Sequence, residues 1–409
     1  MTPNINYTDV QGSYSINTPL VITPNSTGGT PQTTLNVKTV SGATNNMVYP
    51  VDGTTNEATY KLPISVTVKA DGTLAAVDDV APIVRVITPQ GVSSTIAGKY
   101  EVVNGRIILG YVDAKGSSAK FKKLKGVTFD KNGNILVADN TNARLRKVDA
   151  QGNVTTIAGS GFFDIADGNG INASFLSLRC LWVDNAGNVF ATDDCAVRKI
   201  TPNGDVTTVA GSNVKGNING NGALAKFKTL RGITGDGLGN LYVTDTDNQS
   251  IRKIDANGNV TTLATGITGA GIAIFNNVLY VADWMKNQIK NVDTTTGAIT
   301  VYAGNGVGAC EDGPDTRGQF GASFYNPEGV AIDSVGNVYV ADRSSQKIRK
   351  VEKSPAFAVN PALPIGVKLN AETGIISGTP TQKTPLTTYT VTGSNYDGSS
   401  TANITLEIV

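Results

Sequence analysis

The 409-residue sequence contains no histidine. Without imidazole there is no Ser–His or Cys–His nucleophile, no histidine general base and no histidine-based zinc site. This absence excludes most hydrolase chemistry, because any catalysis would have to use carboxylate, lysine, tyrosine or cysteine side chains. The composition therefore favours a protein that is not an enzyme.

Cysteine is also rare, and three residues neither indicate nor exclude an oxidising compartment. The formal net charge is +1, so no global field favours nucleic acid or an anionic membrane. No apolar run approaches the roughly 18 residues that a membrane-spanning helix needs. The polar residues after Met1 do not resemble a signal peptide. We expect no nucleic-acid partner, no direct membrane span, and no export signal within this chain.

The sequence does contain a repeated motif. Its clearest copy runs from Asn134-Ile-Leu-Val-Ala-Asp139 through Leu145-Arg-Lys-Val148 to Val154-Thr-Thr-Ile-Ala-Gly159. Each copy predicts four short strands, a to d, separated by glycine turns. The units lie near 59–98, 120–160, 174–212, 226–265, 267–304 and 324–353. A repeated four-stranded unit predicts a closed ring of small sheets.

The last unit ends after strand c, and its missing fourth strand has a counterpart far upstream. The segment Val37-Lys-Thr-Val-Ser-Gly42 has the form of strand d in the first unit, Ser94–Gly98. Borrowing a strand from the other end of the chain would join the first and last blades and cover an open strand edge. We therefore expect six blades, with residues 34–42 closing the sixth.

Gly–Val–x–x–Asp, then Gly–Asn–(Ile/Val)–(Leu/Tyr)–Val–Ala–Asp, then Ile–Arg–Lys, resembles the NHL-repeat family of β-propellers, in its bacterial form. Leu363–Pro380 resembles the second half of an Ig-like module of bacterial surface proteins, and residues 4–30 resemble its first half. Together the halves hold about seven strands, enough for one sandwich. The resemblance implies an all-β chain. We expect a six-bladed NHL-type β-propeller at 34–353, inserted in a discontinuous Ig-like β-sandwich made of 1–33 and 354–409.

An acidic and a basic residue recur once in each blade, at the end of strand b and within strand c. A residue that every blade needs is better explained by capping of the b–c turn and pairing within the sheet than by ligand binding. The residues are Asp78, Asp139, Asp193, Asp245, Asp283 and Asp342, with Arg85, Arg146, Arg198, Arg252, Lys290 and Arg349.

Residues that interrupt the repeat are better candidates for ligand binding. The long d–a connections and the b–c loops share one rim of the ring, and variable loops on a rigid scaffold often carry recognition. An exposed aromatic side chain there can stack on a sugar or anchor a protein, or it can instead pack into its own loop. The candidates are Trp284, Arg343, Tyr325, Phe162, Phe163, Tyr111 and Arg231.

Two further patterns concern metals and disulfides. Asp164, Asp167 and Asn169 have calcium-like spacing, but no bidentate glutamate follows and the family's loop pattern explains them. We expect no metal or other cofactor, with calcium as the alternative. Cys180 and Cys195 map to one rim of the third blade, which leaves a disulfide or two buried thiols equally open.

The sequence as a whole favours a non-catalytic binding protein, monomeric and extracytoplasmic, from a bacterial envelope or cell surface. Its propeller loop face would recognise a glycan or an extracellular protein. One alternative is a carboxylate- or metal-dependent propeller enzyme, either a gluconolactonase-like hydrolase or a lyase. Another is a structural adhesin or spacer.

Overall fold

The structure, a computed structural model, describes residues 1–43, 49–315, 322–395 and 398–409. These ranges contain no α-helix, and their regular structure is β-strand with five single-turn 3-10 helices: Gly116–Ser118, Asn140–Asn142, Gly170–Asn172, Gly222–Leu224 and Thr246–Asn248. No helix in the described part has the length and hydropathy that a membrane crossing requires. The predicted all-β class is confirmed.

Six sheets share one plan, in which four antiparallel strands, a to d, pair in order, and they form the predicted six-bladed β-propeller. Blade one contains Pro63–Val68, Leu74–Asp78, Ile83–Ile87 and Ser93–Gly98. Blade two contains Leu124–Phe129, Ile135–Asp139, Arg144–Val148 and Val154–Ala158. Blade three contains Leu178–Val183, Val189–Asp193, Ala196–Ile200 and Asp205–Gly211. Blade four contains Leu230–Gly235, Leu241–Asp245, Ser250–Ile254 and Asn259–Thr265. Blade five contains Gly269–Phe275, Val278–Asp283, Gln288–Asp293 and Ile299–Ala303.

Blade six is assembled from distant parts of the chain. Its strands a to c are Pro327–Ile332, Val338–Asp342 and Lys347–Ser354, and Thr34–Ser41 lies next to strand c as the fourth strand. Short fifth strands flank strand d of blades three, four and six, at Gly168–Asn169, Gly220–Asn221 and Gly313–Pro314. A separate hairpin joins Val102–Val103 to Arg106–Ile107.

In blades two, three, four and six, the a–b turns form because an aspartate and a glycine have fixed places in them. In blade two, Asp130 Oδ1 accepts hydrogen bonds from the backbone N–H groups of Asn132 and Asn134, at 2.8 Å each. Gly133 lies between them with a φ of 79°, a left-handed conformation that glycine adopts without strain. This local turn chemistry sets the register of strands a and b.

The recurring acidic and basic residues form buried ion pairs in four blades. Arg146 contacts Asp139 at 2.8 Å, and the corresponding pairs are Arg198–Asp193 at 2.9 Å, Arg252–Asp245 at 3.0 Å and Arg349–Asp342 at 3.1 Å. Each of these arginines also lies over a buried phenylalanine, at 5.0 to 5.6 Å from the ring centre. Lys290 and Asp283 pair in the same way in blade five, at 2.6 Å. The predicted structural role is confirmed in these five blades.

Blade one departs from this pattern. Asp78 accepts backbone hydrogen bonds from Lys61, Leu62, Val80 and Ala81, at 2.7 to 3.1 Å. Arg85 instead forms its ion pair with Asp52, at 3.2 Å. Because four N–H donors already satisfy the carboxylate, Asp78 caps the turn without the arginine.

The chain divides into two compact units. The first unit holds Val37–Asp312 and residues 322–351. The second unit holds Met1–Asn36, Glu352–Val409 and a short segment that begins at Gly313. The second unit contains three sheets. The first pairs Pro3–Asn6 with Asn25–Gly28, and the second consists of Leu20–Ile22, Ile376–Gly378 and Val367–Leu369 in that order. The third consists of Ser13–Tyr14, Gly398–Ile408, Thr384–Asn395 and Phe357–Asn360. Ile22 and Leu20 share one core with Val391 and Leu406, so both ends of the chain build the Ig-like sandwich.

Candidate functional site

Strand a of every blade has a β-bulge after its first residue. A bulge leaves the extra residue outside the ladder and re-aims its side chain. The second residues of the six strands therefore form a ring around the propeller axis, and they are Ile64, Lys125, Arg179, Arg231, Ala270 and Glu328. This position belongs to the strand, yet it holds five different residue types in the six blades.

The residue after the aspartate that ends strand b contributes at the same end of the axis. In three blades its side chain lines the same cavity, and these residues are Asp79, Trp284 and Arg343. The b–c loops and the d–a loops thus meet the ring at one rim. We call the six charged residues of this rim the charged mouth: Asp79, Lys125, Arg179, Arg231, Glu328 and Arg343.

Below the charged mouth, the axis is a channel with apolar walls. Side chains two residues apart on a strand share a face, so the fourth residues of the strands form a second ring, made of Val66, Val127, Leu181, Ile233, Ile272 and Val330. The cavity has a volume of about 610 Å³, within the usual range for small-molecule pockets. Both tryptophans of the chain, Trp182 and Trp284, line it.

The third residue of strand a is small in every blade, because neighbouring strands approach closely at that point. A Cβ atom on Gly126 would meet the backbone of Arg179 and Cys180 in the next blade. Gly232, Gly271 and Gly329 meet their neighbours' backbones in the same way, while Ser65 and Cys180 hold this position in the other two blades. This close packing fixes the radius of the charged mouth.

Asp79 links three blades across one side of the charged mouth. Its carboxylate contacts Lys125 at 2.8 Å, Lys123 at 3.4 Å and Arg343 at 3.2 Å. Although burial acts in the opposite direction, these cations lower the pKa of Asp79 below its ordinary value. Burial lowers the pKa of Lys125, and Asp79 offsets only part of that effect. Asp79 is therefore an ionised partner in an ion-pair network and a poor general base.

On the other side, Arg231 joins an acidic and an aromatic side chain. Its guanidinium contacts Glu328 at 3.2 Å and lies 5.1 Å from the centre of the Trp284 ring. The Trp284 Nε1–H has no hydrogen-bond partner among the described residues. The indole is thus held by a cation on one side, and its buried donor is unsatisfied within the described part of the chain.

Arg179 differs from the other cations of the charged mouth. Its guanidinium forms no ion pair with any described residue, and its buried Nε has no hydrogen-bond partner there. Burial lowers the pKa of Arg179, and the neighbouring charge of Arg231 lowers it further. An arginine remains protonated at neutral pH, so this position carries an uncompensated positive charge.

The structure brings together three of the seven predicted site residues, namely Trp284, Arg343 and Arg231, and it places the other four outside the cavity. Tyr111 lies against Arg144, 3.9 Å from ring centre to guanidinium, and its hydroxyl contacts Thr156 at 3.0 Å. Phe162 and Phe163 are exposed in a d–a loop, and the exposed Tyr325 precedes strand a of blade six.

The weak calcium candidates do not form a ligand set. Asp167 contacts Arg198 at 3.0 Å and the Thr208 hydroxyl at 2.8 Å, while Asn169 donates to Asp205 at 2.7 Å. Asp164 accepts from the adjacent backbone N–H of Ile165. Among the described residues there is no group of three or more acidic, cysteine or histidine side chains that could hold a metal.

The disulfide left open by the sequence is absent, because Cys180 and Cys195 are free thiols in the structure. The Cys195 thiol donates to the carbonyl oxygen of Ser212 at 3.0 Å, while Cys180 lies at the strand a position packed against blade four. Burial raises the pKa of the Cys195 thiol to about 11. Neither thiol has the depressed pKa of a nucleophile.

Comparison with known families identifies the C-terminal part of the chain. Residues 323–409 match the family described as "Putative Ig domain" (He_PIG). The match includes strands a to c of blade six and the C-terminal portion of the Ig-like unit. It agrees with the Ig-like sandwich expected from the sequence.

Among known proteins, the chain is 24% identical over 279 residues to Protein SUPPRESSOR OF QUENCHING 1, chloroplastic, from Arabidopsis thaliana. The alignment covers 59% of this chain and 26% of that protein, so the chain spans about a quarter of its length.

Among solved structures, an auxiliary nutrient binding protein from Bacteroides ovatus is similar, with a TM-score of 0.55 and 11% identity over 87% of this chain and 98% of that one. A streptogramin B lyase has a TM-score of 0.47 and 15% identity over 78% and 98%. Identities of this size bear on the fold alone.

Proposed function

We propose that this chain, an NHL-type propeller with an Ig-like domain, is a non-catalytic binding protein that recognises a glycan at the charged mouth. The observation that carries the proposal is the cavity itself, where a tryptophan and several arginines converge above an apolar channel. Small-molecule sites have this composition: mostly apolar walls with a few convergent polar groups. A flat protein partner would not need an enclosed cavity.

The side chains of the charged mouth suit a sugar. Trp284 offers an aromatic ring on which a sugar face can stack. Arg231, Arg343 and Lys125 add fixed hydrogen-bond donors for ring oxygens and hydroxyls.

The ion pairs of the charged mouth favour binding over catalysis. Its two carboxylates, Asp79 and Glu328, each contact a basic side chain at 2.8 to 3.4 Å. A carboxylate engaged in this way by a basic side chain is not aimed at a bound ligand as a general acid or base would be. A hydrolase or lyase reaction would need a group poised to exchange a proton.

We place the protein outside the cytoplasm of a bacterium, at the envelope or cell surface. The Ig-like domain resembles modules of bacterial surface proteins, and the nutrient binding protein among the structural neighbours is consistent with this location.

A glycan array tests the proposal. We expect the protein to bind a defined set of saccharides, and the Trp284→Ala variant to bind them about tenfold more weakly, because a stacked aromatic contributes on the order of 1 kcal/mol. Phe162→Ala is the matched control, since it removes an exposed aromatic that does not line the cavity. It should leave binding unchanged.

Three results would count against the proposal. The array could remain blank, Phe162→Ala could weaken binding as much as Trp284→Ala, or a pull-down from envelope fractions could recover a protein that Trp284→Ala still binds. The last result would favour a protein partner on the loops.

A further inference from the structure

One cation of the charged mouth has no counterion. Asp79 contacts Lys125 and Arg343, and Glu328 contacts Arg231, whereas Arg179 contacts no carboxylate among the described residues. The cavity wall therefore carries four cations and two carboxylates, and two positive charges are not neutralised.

The acidic groups nearest to Arg179 are held by other residues. Asp194 contacts Lys215 at 3.0 Å, and Asp247 accepts a hydrogen bond from the Thr229 hydroxyl at 2.6 Å. Glu328 is paired with Arg231, as described above. A half-buried cation with every neighbouring carboxylate engaged is a costly arrangement unless a partner arrives from solution.

We infer that Arg179 is the anchor for an anionic group on the ligand, which makes the recognised glycan an acidic saccharide. This inference rests on the proposed function, because it names the charged part of that ligand. The planar guanidinium can bind a carboxylate or a sulfate through two parallel hydrogen bonds. Arg231 lies close enough to raise the local positive potential, and its cation–π contact holds Trp284 beside the same space.

The apolar ring beneath the charged mouth strengthens this interaction. Leu181 and Ile233 are each at most 5% exposed and belong to the same strands as Arg179 and Arg231. A low-dielectric wall behind a cation increases its attraction for an anion relative to open water. A uronic acid or a sulfated sugar would place its charge on Arg179 and its ring against Trp284.

Fluorescence quenching tests the anion subsite without knowledge of the ligand. In a Trp182→Phe background, excitation at a wavelength that tyrosine does not absorb makes Trp284 the sole emitter, so the probe reports on the charged mouth alone. Iodide is the anionic quencher, caesium the cationic one and acrylamide the neutral reference. With each quenching constant divided by its value for free tryptophan, we expect iodide to quench more strongly than caesium, and Arg179→Gln to lower the ratio of iodide to acrylamide quenching by roughly twofold or more.

The matched control is Lys131→Gln, which removes one positive charge from an exposed a–b turn at the other end of the strands. It should leave the ratio unchanged. Equal quenching by iodide and caesium, or a ratio that Arg179→Gln does not alter, would overturn the anion subsite.

Paired saccharides then test the ligand class. Oligogalacturonate is compared with its methyl ester, and carrageenan oligosaccharides with their desulfated forms, so that each pair sets an acidic member against an uncharged one and the two pairs separate carboxylate from sulfate. We expect at least one acidic member to bind about tenfold more tightly than its neutral partner, and Arg179→Gln to abolish that preference.

The outcomes separate this inference from the proposed function. Binding of neutral and acidic members with equal affinity, or an acid preference that Arg179→Gln retains, overturns the inference while glycan binding stands. If no saccharide binds on these pairs or on the array, the proposed function and the saccharide assignment both fail, and the iodide result alone decides whether Arg179 attracts anions.

Discussion

Replacement of Arg198 by methionine is expected to lower the free energy of unfolding by about 3–5 kcal/mol at pH 8, because it leaves a buried carboxylate without its counterion. Arg198 and Asp193 are both fully buried and 2.9 Å apart. The guanidinium also donates to the carbonyl oxygens of Ser174 and Ala166 and contacts Asp167. Methionine fills similar space but replaces none of these hydrogen bonds.

The size of the loss should depend on pH. Burial raises the pKa of Asp193 in the folded protein to about 6, above its ordinary value of 3.8, and removal of Arg198 raises it further. The folded variant then holds a proton more tightly than the unfolded chain. Because Asp193 has the same pKa in both unfolded chains, the loss is full above the folded pKa of the variant and shrinks as the pH falls through about 6, the folded pKa of Asp193 in the wild type. Urea unfolding followed by circular dichroism at pH 8 and pH 5 measures both quantities.

Two further variants control this experiment. Arg106→Met removes an exposed arginine and should change stability by less than about 0.5 kcal/mol. The double variant Asp193→Leu with Arg198→Met should recover part of the loss, because no charge remains buried. A loss below about 1 kcal/mol for Arg198→Met, or the same loss at both pH values, would show that the pair does not hold the blade together.

Gly126→Val is expected to destabilise the propeller by about 3 kcal/mol or more, or to prevent folding. The new side chain would collide with the backbone of Arg179 and Cys180, where neither neighbour can move without opening the joint between blades two and three. Valine favours β-strands, so the loss would not arise from strand propensity.

Gly110→Val is the matched control for this substitution. Its Cβ would meet only the flexible methylene groups of Lys120, at 3.1 to 3.7 Å, and we expect a loss below about 1 kcal/mol. Thermal unfolding of both variants beside the wild-type protein provides the comparison. Equal stability of the two would contradict the close packing of strands a around the axis.

The fold was predictable because the blades repeat similar turn and strand residues. The Asp130–Gly133 turn, which has counterparts in three other blades, and the almost continuously buried strand b specify the hairpins by short-range chemistry, and the NHL-like repeat multiplies this signal. The role of the recurring arginines was predicted as well. Blade one is the exception, since its Arg85 pairs with Asp52, a residue outside the repeat. A partner that lies outside the repeat cannot be inferred from the repeat.

The candidate site was predictable only in part. Trp284, Arg343 and Arg231 were predicted because they interrupt the repeat or carry a charge at the start of a strand. Arg179 and Glu328 were not predicted, although they hold the same second position of strand a as Arg231. Their inward direction depends on a β-bulge that has no residue signature of its own.

A signal for these residues was nonetheless present in the sequence. When the units are aligned, the position before the small residue of strand a holds lysine, arginine, arginine and glutamate in four of six blades. This position varies between the blades, whereas the next position holds a small residue in all six. A variable position that recurs once in each blade indicates a surface to which all blades contribute. By contrast, the packing of Tyr111 against Arg144 depends on the path of a long loop, which local sequence does not specify.

The most direct test of the central claim is a crystal structure of the protein with the saccharide that it binds most tightly on the array. We predict that the sugar ring lies over Trp284 and that its anionic group lies about 3 Å from the Arg179 guanidinium. A saccharide bound at the exposed loop of Phe162 and Phe163, or on the Ig-like unit, with the charged mouth unoccupied, would contradict it.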